Sequence, residues 1–159
     1  MKLLTVLLLY SGFSVFLGYS SIAPFFPSEL SRRGLNPLLN SIVFSLYALT
    51  FVGCSLFVSK IIIPTIGRSF SFFIGALSQI LSLTLLGLLN RVSSNSLFLI
   101  LAIVARLLQG AGTSIMVILI FAFISVAYPN KLEMFHSLTQ ICFAVGIAVS
   151  PFASTFLYN

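Results

Sequence analysis

Five long apolar runs, separated by short polar ones, organise the whole chain. They extend over about 3–26, 38–58, 70–89, 97–126 and 134–157. Each is close to the roughly 20 residues a helix needs to cross the hydrocarbon core of a bilayer. The first run stops at Pro27, and SELSRRGLNP follows as a polar loop with Gly34 and Pro37 as helix breakers. NRVSSNS and YPNK divide the last three runs. Connections this short make successive helices antiparallel neighbours. The pattern therefore predicts an all-α membrane protein, a single transmembrane helical domain over 1–159 with no linker and no second domain.

Composition names the solvent. Hydrophobic residues make up 59% of the 159 positions and charged residues 6%, against about 25% charged in a soluble domain. So much apolar surface cannot be hidden within a chain of this size, and the partner that covers it is the lipid bilayer. The net charge of +6 comes from eight Lys and Arg against Glu29 and Glu133. Only Arg32 and Arg33 adjoin, so the clustered basic surface of a nucleic-acid binder is lacking. Lys2 and LLTVLLL imitate a secretory signal, but the apolar run continues to Phe26, past the roughly 7–15 residues of a cleavable core. An uncleaved first helix is expected. Alternating spans put Lys2, Lys60, Arg68 and Lys131 on one side and Arg32, Arg33 and Arg91 on the other. The slight excess points to a cytoplasmic N-terminus, with Asn159 on the far side.

Enzyme chemistry finds little to work with. Two carboxylates at opposite ends of the chain make no acid–base pair, and there is no nucleophile–base motif or Gly-rich phosphate loop. His136 alone makes no metal site, which takes three or four clustered ligands. Cys54 and Cys142 both lie in apolar runs and read as small core residues rather than a disulfide. No enzyme, cofactor or metal is expected.

One residue breaks the apolar pattern. Arg106 lies in the fourth run, flanked by the uncharged stretches 97–105 and 117–127. A charge near mid-bilayer costs about 2.5–3.5 kcal/mol even on the gentlest scale and faces a protein interior or a wet cavity. Positions three and four apart share a helix face, and Arg106, Gln109, Gly110 and Thr113 follow that spacing. Two readings fit. As a structural cation, Arg106 bonds backbone carbonyls and Gln109 and locks the fourth helix to its neighbours. As a cavity-facing residue, it tunes affinity for a solute or a proton. Tyr19, Ser20, Gln79 and Gln140 are further polar positions, either lining such a path or satisfied within the bundle. In the fifth run Gly146, Ser150 and Ser154 recur every four residues beside Pro151. Small residues at that interval let helix backbones approach closely.

These motifs resemble those of the major facilitator superfamily of secondary transporters. The fourth-helix pattern RxxQGxG stands as Arg106, Gln109, Gly110 and Gly112. The fifth-helix pattern GxxxGPxxGG stands as Gly146, Ser150, Pro151, Ser154 and Thr155, with hydroxyl residues replacing three glycines. The loop signature between helices two and three is reduced to Gly67-Arg68, with Pro64 at its acidic position and Thr65 and Ser69 at its basic ones. APFFPSELSRRGL at 23–35 and VFSLYAL at 43–49 are similar to the vesicular amine transporter branch of drug–proton antiporters.

The resemblance implies the first five of twelve helices, an N-terminal bundle without helix 6 or the C-terminal half. It implies transmembrane transport of a small organic solute, with the chain as the N-terminal part of an antiporter-like secondary transporter. The branch's first-helix aspartate has no counterpart, since 3–26 holds no acid. Amine binding and proton coupling therefore do not carry over residue by residue. The alternative is a non-transporting membrane subunit or remnant that keeps the scaffold. Because such transporters build their site between two halves, the isolated chain is expected not to transport. It is expected to seek a C-terminal half, a second copy or another subunit through its small-residue stripe.

Overall fold

The computed structural model describes the backbone of residues 2–158, and every regular element among them is helical. The elements are α1 (Lys2–Ser20), α2 (Phe25–Arg32), α3 (Leu38–Phe57), a π-helical turn (Val58–Ile62), α4 (Ile63–Ile66), α5 (Arg68–Leu88), α6 (Asn95–Ala127) and α7 (Leu132–Tyr158). Five helical stretches are long and apolar enough to cross a membrane. The expected position of Asn159 lies outside the described residues, as does the side chain of Lys2.

Two segments differ from the pattern-based expectation. The first run does not end at Phe26. The helix breaks instead at 21–24, and the supposed polar loop is helical as far as Arg32. Pro24 has no N–H to continue α1 and seats itself as the N-cap of α2, while Pro27 falls in the first turn, where backbone donors have no intrahelical acceptor anyway. Phe26 and Leu30, four apart, are then fully buried, and this burial outweighs the polar look of SELSRR. A Schellman motif ends α2: Gly34 adopts φ +65°, and Leu35 N–H and Gly34 N–H reach the carbonyls of Leu30 and Ser31. The second run likewise continues beyond Val58, through the π turn and α4 to Ile66. Gly67, at φ +87°, then reverses the chain into α5.

The bundle is built around α6. Helices α3 and α5 pack along it on two sides, while α1 packs chiefly along α7. An apolar cluster of Ile22, Phe26, Leu30, Val43, Leu86, Leu89, Phe98, Ala102 and Ala105 fills one end. Leu8, Ile120, Ile124 and Phe143 fill the other, beside Val58, Ile115 and Leu119. Between these ends, around the middle of α6, the core turns polar.

Each end is also tied by polar contacts. At one, Glu29 is buried beneath Arg33 (2.7 Å) and Arg32 (3.1 Å). Arg33 Nη2 donates to the Val92 carbonyl (2.6 Å), and its guanidinium lies 4.4 Å from the Phe98 ring centre. At the opposite end Thr5 and Tyr128 share a hydrogen bond of 2.7 Å. The connections after the first and third spans therefore meet at one end of the bundle, and the N-terminus meets the fourth connection at the other.

Candidate functional site

The glycines of α6 set how near its neighbours come. A Cβ on Gly110 would lie 2.7 Å from the Tyr47 carbonyl oxygen of α3, and one on Gly112 would lie 3.0 Å from the Gly75 carbonyl oxygen of α5. Only glycine lets both backbones approach at once. With α5 this close, three of its side chains reach α6 directly. Ser78 and Ser82 donate to the carbonyls of Leu108 (2.9 Å) and Ala105 (2.8 Å). Gln79 Nε2 donates to Thr113 Oγ1 (2.6 Å) and to the Gln109 carbonyl (3.1 Å).

Arg106 lies fully buried beside this row, with Gln109 and Thr113 on the same face. Its Nη1 donates to Gln109 Oε1 (2.6 Å) and to the Tyr19 carbonyl (3.3 Å), joining α6 to α1. Three aromatic rings surround the guanidinium, with centres 4.5 Å away for Phe44, 5.5 Å for Tyr19 and 5.8 Å for Tyr47. Tyr19 and Tyr47 stack on each other across α1 and α3 at 4.3 Å. The rings offer their negative faces to the cation and partly replace its hydration. The polar seam thus draws on four of the five spans.

The seam is not fully paired. Arg106 Nε and Nη2, Gln109 Nε2 and Gln79 Oε1 are buried without a hydrogen-bond partner. Such groups are exceptional in a folded interior, because each costs about 1–3 kcal/mol of desolvation, more when charged.

The remaining sequence candidates fall elsewhere. Ser20 is buried near the end of α1. Gln140 is exposed on α7 and is not brought to the seam; its neighbour Thr139 is the buried one, bonded to the Phe135 carbonyl. Of the stripe Gly146, Ser150 and Ser154, the first two are occupied within the chain rather than left for an outside partner. Gly146 lies against Phe13 and Leu17 of α1, and Ser150 Oγ donates to the Leu17 carbonyl at 2.5 Å. Ser154, half-buried, bonds back to the Ser150 carbonyl beside Pro151. The reason is that α1, 133 residues away in sequence, fits the groove these small residues make. Gly67 and Arg68 sit at the turn into α5, where Arg68 is exposed and has no ion pair among the described residues.

Sequence reasoning did not single out Phe44, Tyr47, Ser78 and Ser82 as seam residues. A signal existed for α5, where Gly75, Ser78, Gln79 and Ser82 repeat at three and four residues. The aromatic pair had none, since Phe and Tyr are ordinary in an apolar span.

Comparison with known proteins gives a consistent picture. A model of the Major Facilitator Superfamily matches residues 8–159. The chain is similar to the mouse protein described as MFS-type transporter SLC18B1, at 24% identity over 158 residues, 97% of this chain and 34% of the relative. The human protein of the same description is 26% identical over the same shares. The chain thus spans about a third of the length of the curated relatives it matches. No solved structure matches it significantly.

Proposed function

The chain belongs to the major facilitator superfamily, and on that premise we propose that it supplies the first five helices of a secondary transporter moving a small organic solute across a membrane. The observation that carries this reading is the buried polar seam of Arg106, Gln109, Thr113 and Gln79 at the middle of the bundle. Polar groups at that depth are costly, and their usual return is a path for substrate or ion. Both MFS-type relatives are described as transporters.

In this reading α1, α3 and α6 form one wall of the path, with Tyr19 and Tyr47 covering Arg106 and the small residues of α5 and α7 holding the wall rigid. The N-terminus and the Lys131 connection face the cytoplasm. A second wall comes from a C-terminal half, a second copy or another membrane subunit, against which the large apolar side chains exposed on α3 and α7, such as Leu49, Val52 and Ile141, are packed.

The test is solute flux in proteoliposomes. The chain is reconstituted alone and together with a C-terminal half from one of the longer relatives, and uptake from a panel of charged and neutral organic solutes is followed under a pH gradient. Saturable flux only with the second half supports the proposal. Flux by a proven monomer would overturn the requirement for a second wall, and the absence of flux from every combination would overturn transport.

A further inference from the structure

The unpaired atoms of the seam have a definite geometry. A guanidinium is a planar fork with five N–H donors. Arg106 spends the Nη1 end on Gln109 and on the Tyr19 carbonyl. What stays unpaired is Nε and Nη2 together, and their hydrogens lie on one edge of the fork, pointing the same way. That edge matches the two oxygens of a carboxylate, the pairing that gives arginine its short, charge-assisted double hydrogen bonds. Gln109 Nε2 adds a third unpaired donor on the adjacent turn. Arg33 provides an internal contrast: its Nε is bonded to Glu29 and its Nη2 to Val92, so the same edge there is filled.

No acid of the described chain can fill the edge at Arg106. Glu29 is held by two arginines at the end of the bundle, and Glu133 is exposed at the start of α7. Three unpaired donors against the single unpaired acceptor Gln79 Oε1 make the seam an acceptor-seeking site. A cationic solute would meet a like charge in a medium of low dielectric, which is strongly unfavourable. The occupant is also small. Arg106 is fully buried with the rings of Tyr19, Phe44 and Tyr47 around its guanidinium, so an acid on a partner helix packed outside does not reach it while that enclosure is closed. Entry of a small solute requires the Tyr19–Tyr47 stack, centred 4.3 Å apart, to turn aside. The rings around it favour an apolar body, and a monocarboxylate loses less hydration on entry than a multiply charged phosphate.

We propose that the buried, unpaired Nε/Nη2 edge of Arg106, beneath the Tyr19–Tyr47 pair, is a binding site for a small carboxylate with an apolar body. This rests on the transporter reading only for its purpose, because binding is measurable without flux. The probes are benzoate, neutral benzamide and cationic benzylamine, added to the purified chain in lipid nanodiscs. Binding is read by calorimetry and by the 15Nε resonance of Arg106. Benzoate is expected to bind saturably and shift that resonance, with benzamide and benzylamine at least tenfold weaker. Arg106→Lys, which keeps the charge without the fork, is expected to lose at least tenfold in benzoate affinity. Benzylamine binding as well as benzoate, benzoate binding unchanged in Arg106→Lys, or no benzoate binding to the wild type would each overturn the assignment. The 15Nε readout needs no variant and decides the matter even if Arg106→Lys fails to fold. Flux of amines without benzoate binding would sink the carboxylate site and spare the transporter. Benzoate binding without flux of any solute would do the reverse.

Discussion

Replacing Glu29 by Ala removes the anion from the cluster that ties α2 to the connection after α5. Its carboxylate is 3% exposed and meets Arg33 at 2.7 Å, with Arg33 itself 11% exposed. Two unit charges about 4 Å apart at an effective dielectric of 20 attract by about 4 kcal/mol. Desolvation of both groups offsets part of this, but in the variant Arg33 stays enclosed with its charge unmatched, the case in which breaking a buried pair costs about 3–5 kcal/mol. The Val92 carbonyl and the Phe98 ring remain to Arg33 and keep the loss at the lower end of that range, about 3 kcal/mol. Arg32 is the control. It bonds the same oxygen at 3.1 Å but is 66% exposed, so Arg32→Ala is expected to cost less than about 1 kcal/mol. Reversible unfolding of the purified chain in mixed micelles gives both values, and a double-mutant cycle with Glu29→Gln and Arg33→Gln isolates the pair. Equal losses for Glu29→Ala and Arg32→Ala, or a coupling indistinguishable from zero, would refute the reasoning and make the cluster ornamental.

Three further outcomes are expected. Gly110→Ala places a methyl 2.7 Å from the Tyr47 carbonyl and should destabilise by about 1–3 kcal/mol; Gly53→Ala, with open space around it, should be neutral or stabilising by up to about 1 kcal/mol, both read from the same unfolding curves. Ser150→Ala removes the bond to the Leu17 carbonyl and should cost roughly 0.6 kcal/mol, the average for interhelical hydrogen bonds in a membrane, so a loss above about 2 kcal/mol would mean the α1–α7 contact is more than packing. Cysteines introduced at 33 and 131 should label from opposite faces of sealed vesicles, and labelling from one face would overturn the arrangement of the spans.

The number and order of the spans were legible because lipid imposes one rule on the whole chain: long apolar runs with their backbone bonds closed within helices. The shared face of Arg106, Gln109 and Thr113 was legible for a similar reason, since helical spacing is local. What escaped depends on which helix lies opposite. The 28–32 segment reads as a loop by composition, yet Leu30, with Phe26 one turn before it, finds Phe98 and the α6 end to bury against. The stripe on α7 looks unpartnered until α1 is placed on it, and Gln140 and Thr139 differ only in which side of α7 they occupy. Phe44 and Tyr47 enter the seam through the arginine their rings flank.

The pairing of α1 with α7 also has a consequence for biosynthesis. Among the five spans described, α1 is made first and its main neighbour α7 fifth, since Ser150 and Leu17 are 133 residues apart. At about 5–20 residues per second, α1 waits roughly 7–27 s in the membrane before α7 is made. During that interval α3, α5 and α6 emerge in succession and assemble from near neighbours in the chain, while the face of α1 around Gly12, which Phe143 of α7 later covers, stays open. Assembly of these five spans therefore has a built-in order: a central trio first, then the closing of α1 and α7 against one another.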